Sequence, residues 1–198
     1  TFYVAAPNGG LWKTTNGGAT WIQLASTMVA NFQYNQKVIV HPVTGDVYAG
    51  TRSGVFRSTN GGTTWVKVLG AGVGALQNGI SDIEIGADNN IYVGIGLFTT
   101  DGVYKSATGN AGSWTKLNTG VNGFATTGFE RVELACAPSN GLVLYAITQN
   151  TATNGVFQIL QSTDGGANWT VKSNPVDADG GIGNDFTRGQ GWYDLIGT

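Results

Sequence analysis

Charge is scarce in this chain. Only 11% of its 198 residues are Asp, Glu, Lys or Arg, and the ten basic residues are scattered singly, giving a net charge of -2. Such scatter excludes the clustered basic stripe that tracks a phosphate backbone, so no nucleic-acid partner is expected. Histidine occurs once, at His41 in Val40-His41-Pro42, which leaves a histidine-rich zinc site and Ser-His-Asp chemistry poorly supported. Cysteine also occurs once, so no intrachain disulfide can form. Cys136 sits in an apolar run with no histidine nearby and reads as a packing residue, not a reactive thiol. No apolar run approaches the roughly 20 residues needed to cross a bilayer. No basic-then-apolar leader opens the chain, which reads as an already processed or internal piece.

What is abundant points one way. With 41% apolar residues and this length, a sizeable core and a folded globular protein are expected. Glycine numbers 32, and Thr and Asn are frequent, which suits short strands joined by tight turns better than helices. The class is expected to be all-β.

A turn signature ending in Trp recurs four times. The copies are Thr14-Thr15-Asn16-Gly17-Gly18-Ala19-Thr20-Trp21, Ser58-Thr59-Asn60-Gly61-Gly62-Thr63-Thr64-Trp65, Ser162-Thr163-Asp164-Gly165-Gly166-Ala167-Asn168-Trp169, and a looser version running from Ser106 to Ser113-Trp114. Their tryptophans are 44, 49 and 55 residues apart, the period of a four-stranded propeller blade. In the second unit strands are expected over 37–41, 47–51, 55–58 and 64–68, each bounded by Gly, Pro or Asp. The third unit repeats this over 81–85, 91–95, 103–106 and 113–117, and the fourth over 131–137, 143–148, 156–161 and 168–172. The blades are thus 33–70, 79–118 and 129–173, flanked by an incomplete first blade at 1–24 and, at 191–198, the lone first strand of a further blade. About four blade equivalents result, read as part of a larger propeller, with a closed four-bladed ring or a ring of two chains as alternatives.

The signature has a structural rationale as the turn between third and fourth strands. The Ser or Thr hydroxyl and the Asn or Asp side chain accept backbone N–H groups, glycines supply positive φ, and the Trp packs on the sheet. Asn16, Trp21, Asn60, Trp65, Trp114, Asp164 and Trp169 are therefore structural. At most one carboxylate per turn argues against calcium there.

The pattern S/T-x-D/N-x-G-x-x-W resembles the Asp-box, or bacterial neuraminidase repeat, of sialidases, two-domain xyloglucanases, sortilin-type receptors and a plant photosystem assembly factor. The segments Gly9-Gly10-Leu11-Trp12-Lys13, Phe129-Glu130-Arg131-Val132-Glu133 and Gly189-Gln190-Gly191-Trp192-Tyr193-Asp194 most resemble secreted Bacteroidetes surface proteins, whose members often carry a sorting domain for type IX secretion. The resemblance implies a β-propeller of a secreted or cell-surface bacterial protein with a binding or adhesion role toward a protein or glycan. Such a turn serves enzymes and receptors alike, so it does not fix activity.

In a propeller the first strand of each blade lines the central channel, and the loops entering it share a face with those between second and third strands. Asn35, Asp82, Glu130, Arg131, Tyr193 and Asp194 fall at those entering ends, with Arg52 and Arg188 on loops of the same face. Asp82, Glu130 and Asp194 are the carboxylates from which a glycosidase pair could be drawn, at roughly 5 to 9.5 Å, against the alternative that they satisfy channel hydrogen bonds. Arg52, Arg131 and Arg188 with Tyr193 have the residue types of a sialidase site, but the F/Y-R-I-P motif is absent. Arg57 aligns with Lys13, Lys105 and Gln161 as a repeat position. Asn35, Arg52, Arg131, Arg188 and Trp192 are ligand-binding candidates, and Phe98 and Phe124 are further aromatic ones. Trp12, Phe56, Tyr104 and Phe157 recur in third strands and read as blade packing. No cofactor is expected. Asp177, Asp179 and Asp185 form a weak calcium candidate in a Gly-rich loop lacking the distal Glu. The expected function is noncatalytic binding, with a glycoside hydrolase as the alternative.

Overall fold

The computed structural model describes residues 1–70, 79–176 and 185–195. Strands come in four antiparallel sheets, each drawn from one sequence unit and ordered consecutively apart from direction of reading. The first sheet holds β1 (Phe2–Ala6), β2 (Gly10–Thr14) and β3 (Ile22–Gln23). The second holds β4 (Asn35–Val40), β5 (Val47–Thr51), β6 (Gly54–Ser58) and β7 (Val66–Leu69). In the third are β8 (Gly79–Ile85), β9 (Ile91–Leu97), β10 (Gly102–Ser106) and β11 (Thr115–Lys116), and in the fourth β12 (Phe129–Cys136), β13 (Leu144–Asn150), β14 (Val156–Ser162) and β15 (Thr170–Lys172). One difference from expectation lies near the end. Gly191–Asp194, expected to open a further blade strand, is a single helical turn, α1. Gly191 N donates to Asn154 O at 2.7 Å and the Arg131 guanidinium to Trp192 O at 2.8 Å, so the segment caps the fourth sheet instead of extending along it.

The signature turns explain why the sheets end where they do. Ser58 Oγ accepts Gly62 N at 2.8 Å and donates to Asn60 Oδ1, which accepts Thr64 N at 2.9 Å. Thr14 with Asn16, and Ser162 with Asp164, repeat the pattern. Gly61 and Gly62 have φ of 66° and 92°, a region closed to most side chains, and the other two full copies match. In the looser copy Thr108 stands at the acid's position, and Ser113, just before the Trp, meets the opening hydroxyl instead, its Oγ 2.6 Å from Ser106 Oγ. Hydrogen bonds from Asn168 and Ser162 hold the Asp164 carboxyl down at about 2.

The core lies between neighbouring sheets. Leu11, Phe32, Ala49 and Phe56 fill the first junction, and Tyr48, Val55, Ile80, Ile83, Ile91, Val93 and Ile95 the second. Tyr92, Val103, Phe129, Val132, Leu134 and Leu160 fill the third. Each fully buried large side chain contributes about 1.5–3 kcal/mol. Phe124 belongs here too, fully buried at 5.2 Å from the Trp169 ring, which corrects the expectation that it contacts ligand. Its position between blade loops placed it near the channel side, but the loop folds inward because it has an aromatic pocket to fill.

The aligned cations form a second link between sheets. Lys13 Nζ donates to Gly61 O at 2.9 Å, Arg57 to Thr108 O at 3.2 Å, and Lys105 to Gly165 O at 3.3 Å, each from a third strand to the next unit's turn. Each cation also lies 5.3–5.8 Å from the ring of Tyr3, Tyr48 or Tyr92 in its own sheet.

Candidate functional site

Innermost strands β4, β8 and β12 stand side by side and carry a line of ionisable groups. Lys37, Asp82 and Glu133 occupy one register, opposite Gly50, Gly94 and Ile147 of the adjacent second strands. The glycines permit the close approach: a Cβ on Gly94 would stand 2.5 Å from Val132 O. Lys37 Nζ is 2.9 Å from Asp82 Oδ1 and 2.8 Å from Glu84 Oε1. Burial lowers the Lys37 pKa but hydrogen bonds to Glu84 and Asp82 outweigh it, so the ammonium is held charged. Burial likewise raises Glu84, against the pull of Lys37. Asp82 is 1% exposed and accepts Ile83 N and Leu134 N, both at 2.9 Å. Glu133 pairs with Arg131 Nε at 2.8 Å, yet burial pushes its carboxyl up to about 8.

These contacts sort the residues anticipated from sequence. Asp82 is tied by both oxygens to neighbouring strands, so the geometry fits channel structure. Asn35 is buried, its Nδ2 donating to Ala6 O, Phe32 O and Gly10 O, so it staples the first sheet to the second and does not reach the loop surface. Arg131 is engaged by Glu133 and Trp192 O. His41 accepts Val43 N and Thr44 N through Nδ1 and meets Asn89 O through Nε2, a turn-fixing role. Cys136 is half-buried, and burial pushes its thiol up to about 12. Asp185 accepts Val156 N, Thr187 N and Gly189 N, and despite partial burial these bonds lower its pKa. Asp177 and Asp179 lie outside the described residues, as does the side chain of Asp194. Arg188 is on the turn before α1, at φ 52°.

The loop face holds an open cleft. Leu97, Phe98, Glu130, Gln149, Asn154 and Trp192 enclose about 270 Å³ between the third and fourth sheets. Phe98 and Trp192 are each about half exposed, and Tyr193 stands beside Trp192 with ring centroids 4.1 Å apart. Gln149, buried on β13, donates from Nε2 to Asn154 Oδ1 at 3.2 Å, which orients the exposed Asn154 amide. Glu130 is the one carboxyl among the described residues lining the cleft. Apolar rings beside a few oriented polar groups are the usual makeup of a small-ligand site.

Sequence reasoning missed Lys37, Glu84 and Glu133. The signal existed, because His41, Gly86 and Ala137 are equivalent repeat positions and the register of Lys37, Asp82 and Glu133 lies four residues earlier in each. The cleft amides Gln149 and Asn154 had no comparable signal.

No protein-family model matches the chain, and no curated protein sequence does. Solved structures do. The GH74 xyloglucanase of Xanthomonas campestris superposes with a TM-score of 0.66 at 20% identity over 88% of this chain and 28% of its own. A GH74 enzyme of Niastella koreensis gives 0.63 at 26% identity over 82% of this chain and 26% of its own. YCF48 bound to D1 peptide gives 0.54 at 15% identity, over 85% and 48%. The chain has a β-propeller fold. Its four sheets are propeller blades, the line of β4, β8 and β12 is the channel wall, and the cleft opens on the loop face. The chain spans about a quarter of the length of the two GH74 enzymes and about half of YCF48. No helix among the described residues is long and apolar enough to cross a membrane.

Proposed function

We propose that this propeller binds a glycan at its loop face without cleaving it, as part of a secreted or cell-surface bacterial protein. The cleft between the third and fourth blades carries the reading. Phe98 and Trp192 offer ring faces on which a sugar can stack, while Gln149, Asn154 and Glu130 offer oriented partners for hydroxyls. Structural likeness to GH74 enzymes, one of them a xyloglucanase, supports a polysaccharide ligand. The turn signature supports an Asp-box assignment and, with the segments around Trp12, Glu130 and Trp192, kinship with Bacteroidetes surface proteins of the type IX group. Further blades or domains in the parent protein fit the short span relative to those structures.

A second reading, a glycoside hydrolase, draws on Glu130 in the cleft with Tyr193 and Asp194 on the neighbouring helical turn. Hydrolysis needs a second carboxyl or a Tyr nucleophile suitably placed. Asp82 is an unsuitable partner, being buried and bonded through both oxygens.

Isothermal titration of a panel of soluble polysaccharides against the chain and its Trp192→Ala variant tests the proposal. Saturable binding that weakens about tenfold or more in the variant is expected, given typical losses of stacked aromatics. Absence of binding to every glycan, or binding indifferent to Trp192, contradicts it.

A further inference from the structure

Arg131 spans two sites. Its Nε donates to Glu133 Oε1 on the channel wall and its Nη1 donates to Trp192 O in α1, both at 2.8 Å. It is not among the residues that line the cleft. A bulge explains the reach: between Phe129 and Val132 strand β12 holds one residue more than β13, which re-aims the side chains of that stretch. Glu130 then falls in the cleft, while Arg131 shares a strand face with Glu133 two residues on.

The contact with Trp192 O matters because α1 carries one wall of the cleft. A single helical turn leaves its last carbonyls without partners in the helix, so Trp192 O needs an outside donor. Arg131 supplies it, as basic side chains do at helix C-termini. Gly191 N, bonded to Asn154 O at 2.7 Å, ties the start of α1 to the same blade. The Trp192 ring is half exposed, so its placement depends on how firmly α1 is held.

Glu133 in turn holds Arg131. The two side chains are only 15% and 8% exposed, which shields the pair from water and salt. An ionised carboxylate accepts from a guanidinium more strongly than a protonated carboxyl does, because attraction between opposite charges adds to the hydrogen bond. Beyond Arg131, Asp82 on β8 opposes the ionisation of Glu133 and Lys37 on β4 favours it, Lys37 being shared between Asp82 and Glu84. On β9 Tyr92 turns to Asp88 and Lys105, and on β13 Tyr145 is held by Gln161.

We propose that Arg131 is a positioning residue: it fixes the Trp192 wall of the cleft without touching ligand, and the charge state of Glu133 sets how firmly. When Glu133 takes up a proton, Arg131 keeps its charge but loses its charged partner, and α1 loosens. The wall is therefore firm above the pH at which Glu133 titrates, about 8, and looser below it. The effect on affinity rests on the glycan reading above; the effect on Trp192 does not.

The test has two arms. In the chain carrying fluorotryptophan, the fluorine-NMR signal of Trp192, assigned by its loss in Trp192→Phe, should move with a midpoint near pH 8. Glu133→Gln and Arg131→Gln should each abolish that movement. Arg131→Lys, which keeps the charge but lacks the fork needed to bridge both acceptors, should abolish it too and serves if Arg131→Gln fails to fold. In the second arm, calorimetry with the polysaccharide panel above should give affinities about threefold to tenfold higher at about pH 9 than at about pH 7, and Glu133→Gln should hold them at the lower level throughout. A Trp192 signal that stays flat, or that moves unchanged in Glu133→Gln, overturns the proposal. So does an affinity that varies with pH equally in both proteins. Movement of the Trp192 signal with no polysaccharide bound at either pH removes the glycan reading and leaves the positioning of Trp192 by Arg131 standing.

Discussion

The ammonium of Lys37 on β4 is 2.9 Å from the carboxylate of Asp82 on β8, so the walls of two adjacent blades are joined by an ion pair. Asp82 is almost wholly buried and passes the link to a third blade through Leu134 N. Removing it leaves the ammonium with Glu84 alone and two buried amides, Ile83 N and Leu134 N, without their acceptor. Asp82→Ala is expected to destabilise the chain by about 2–6 kcal/mol, measured by denaturant unfolding, because each of the two buried amides left unsatisfied costs about 1–3 kcal/mol. A loss under about 1 kcal/mol would show that the channel wall does not depend on it.

Glu133 sets a pH dependence. Its carboxyl stands at about 8 in the folded chain, raised chiefly by burial, against an ordinary value of 4.5. A group raised on folding contributes stability that is complete below the unfolded value and lost as pH rises through the folded one. Stability should therefore decline between about pH 4.5 and 8, and Glu133→Gln should flatten that decline. Thermal melts of both proteins across this range measure it, and identical slopes would remove Glu133 as the cause.

Much of this architecture was legible because its code is local. Gly17, Gly61 and Gly165 mark positive φ, and the residues three before each supply the hydroxyl that closes the turn, so spacing alone located the blades. The cations Lys13, Arg57 and Lys105 were visible as a recurrence, but their acceptors were not, since a backbone carbonyl of the next blade has no sequence signature. Trp192-Tyr193-Asp194-Leu195 resembled a strand because a single helical turn is too short to show periodicity. The cleft was half legible. Trp192 and Phe98 stood out by falling outside the packing register, whereas Gln149 near the end of β13 and Asn154 in the loop after it are ordinary residues given a role only by that hairpin.

The turn signature predicts graded damage. Ser58→Ala removes the acceptor of the Gly62 amide, a bond in a buried setting, and should cost about 1–3 kcal/mol. Ser113→Ala in the looser third turn removes one exposed and one part-buried contact but leaves Ser106 Oγ to accept Gly109 N, and should cost about 1 kcal/mol or less. Equal losses in denaturant unfolding would contradict the view that the hydroxyl opening the turn is its chief fastener.

Cys136 should be slow to alkylate. With its thiol at about 12, little thiolate exists at pH 8, so iodoacetamide should modify the folded chain at least about tenfold more slowly than the chain in denaturant. Equal rates, followed by mass spectrometry, would mean an open and ordinary thiol.

Whether the loop face holds a glycan or cuts it is decided by light scattering on a polysaccharide that the chain binds, followed over hours in its presence. A bound polymer whose molar mass stays constant is the expected result. A molar mass that falls with time, and stops falling in Glu130→Gln, would contradict the binding account and make the cleft a hydrolase site.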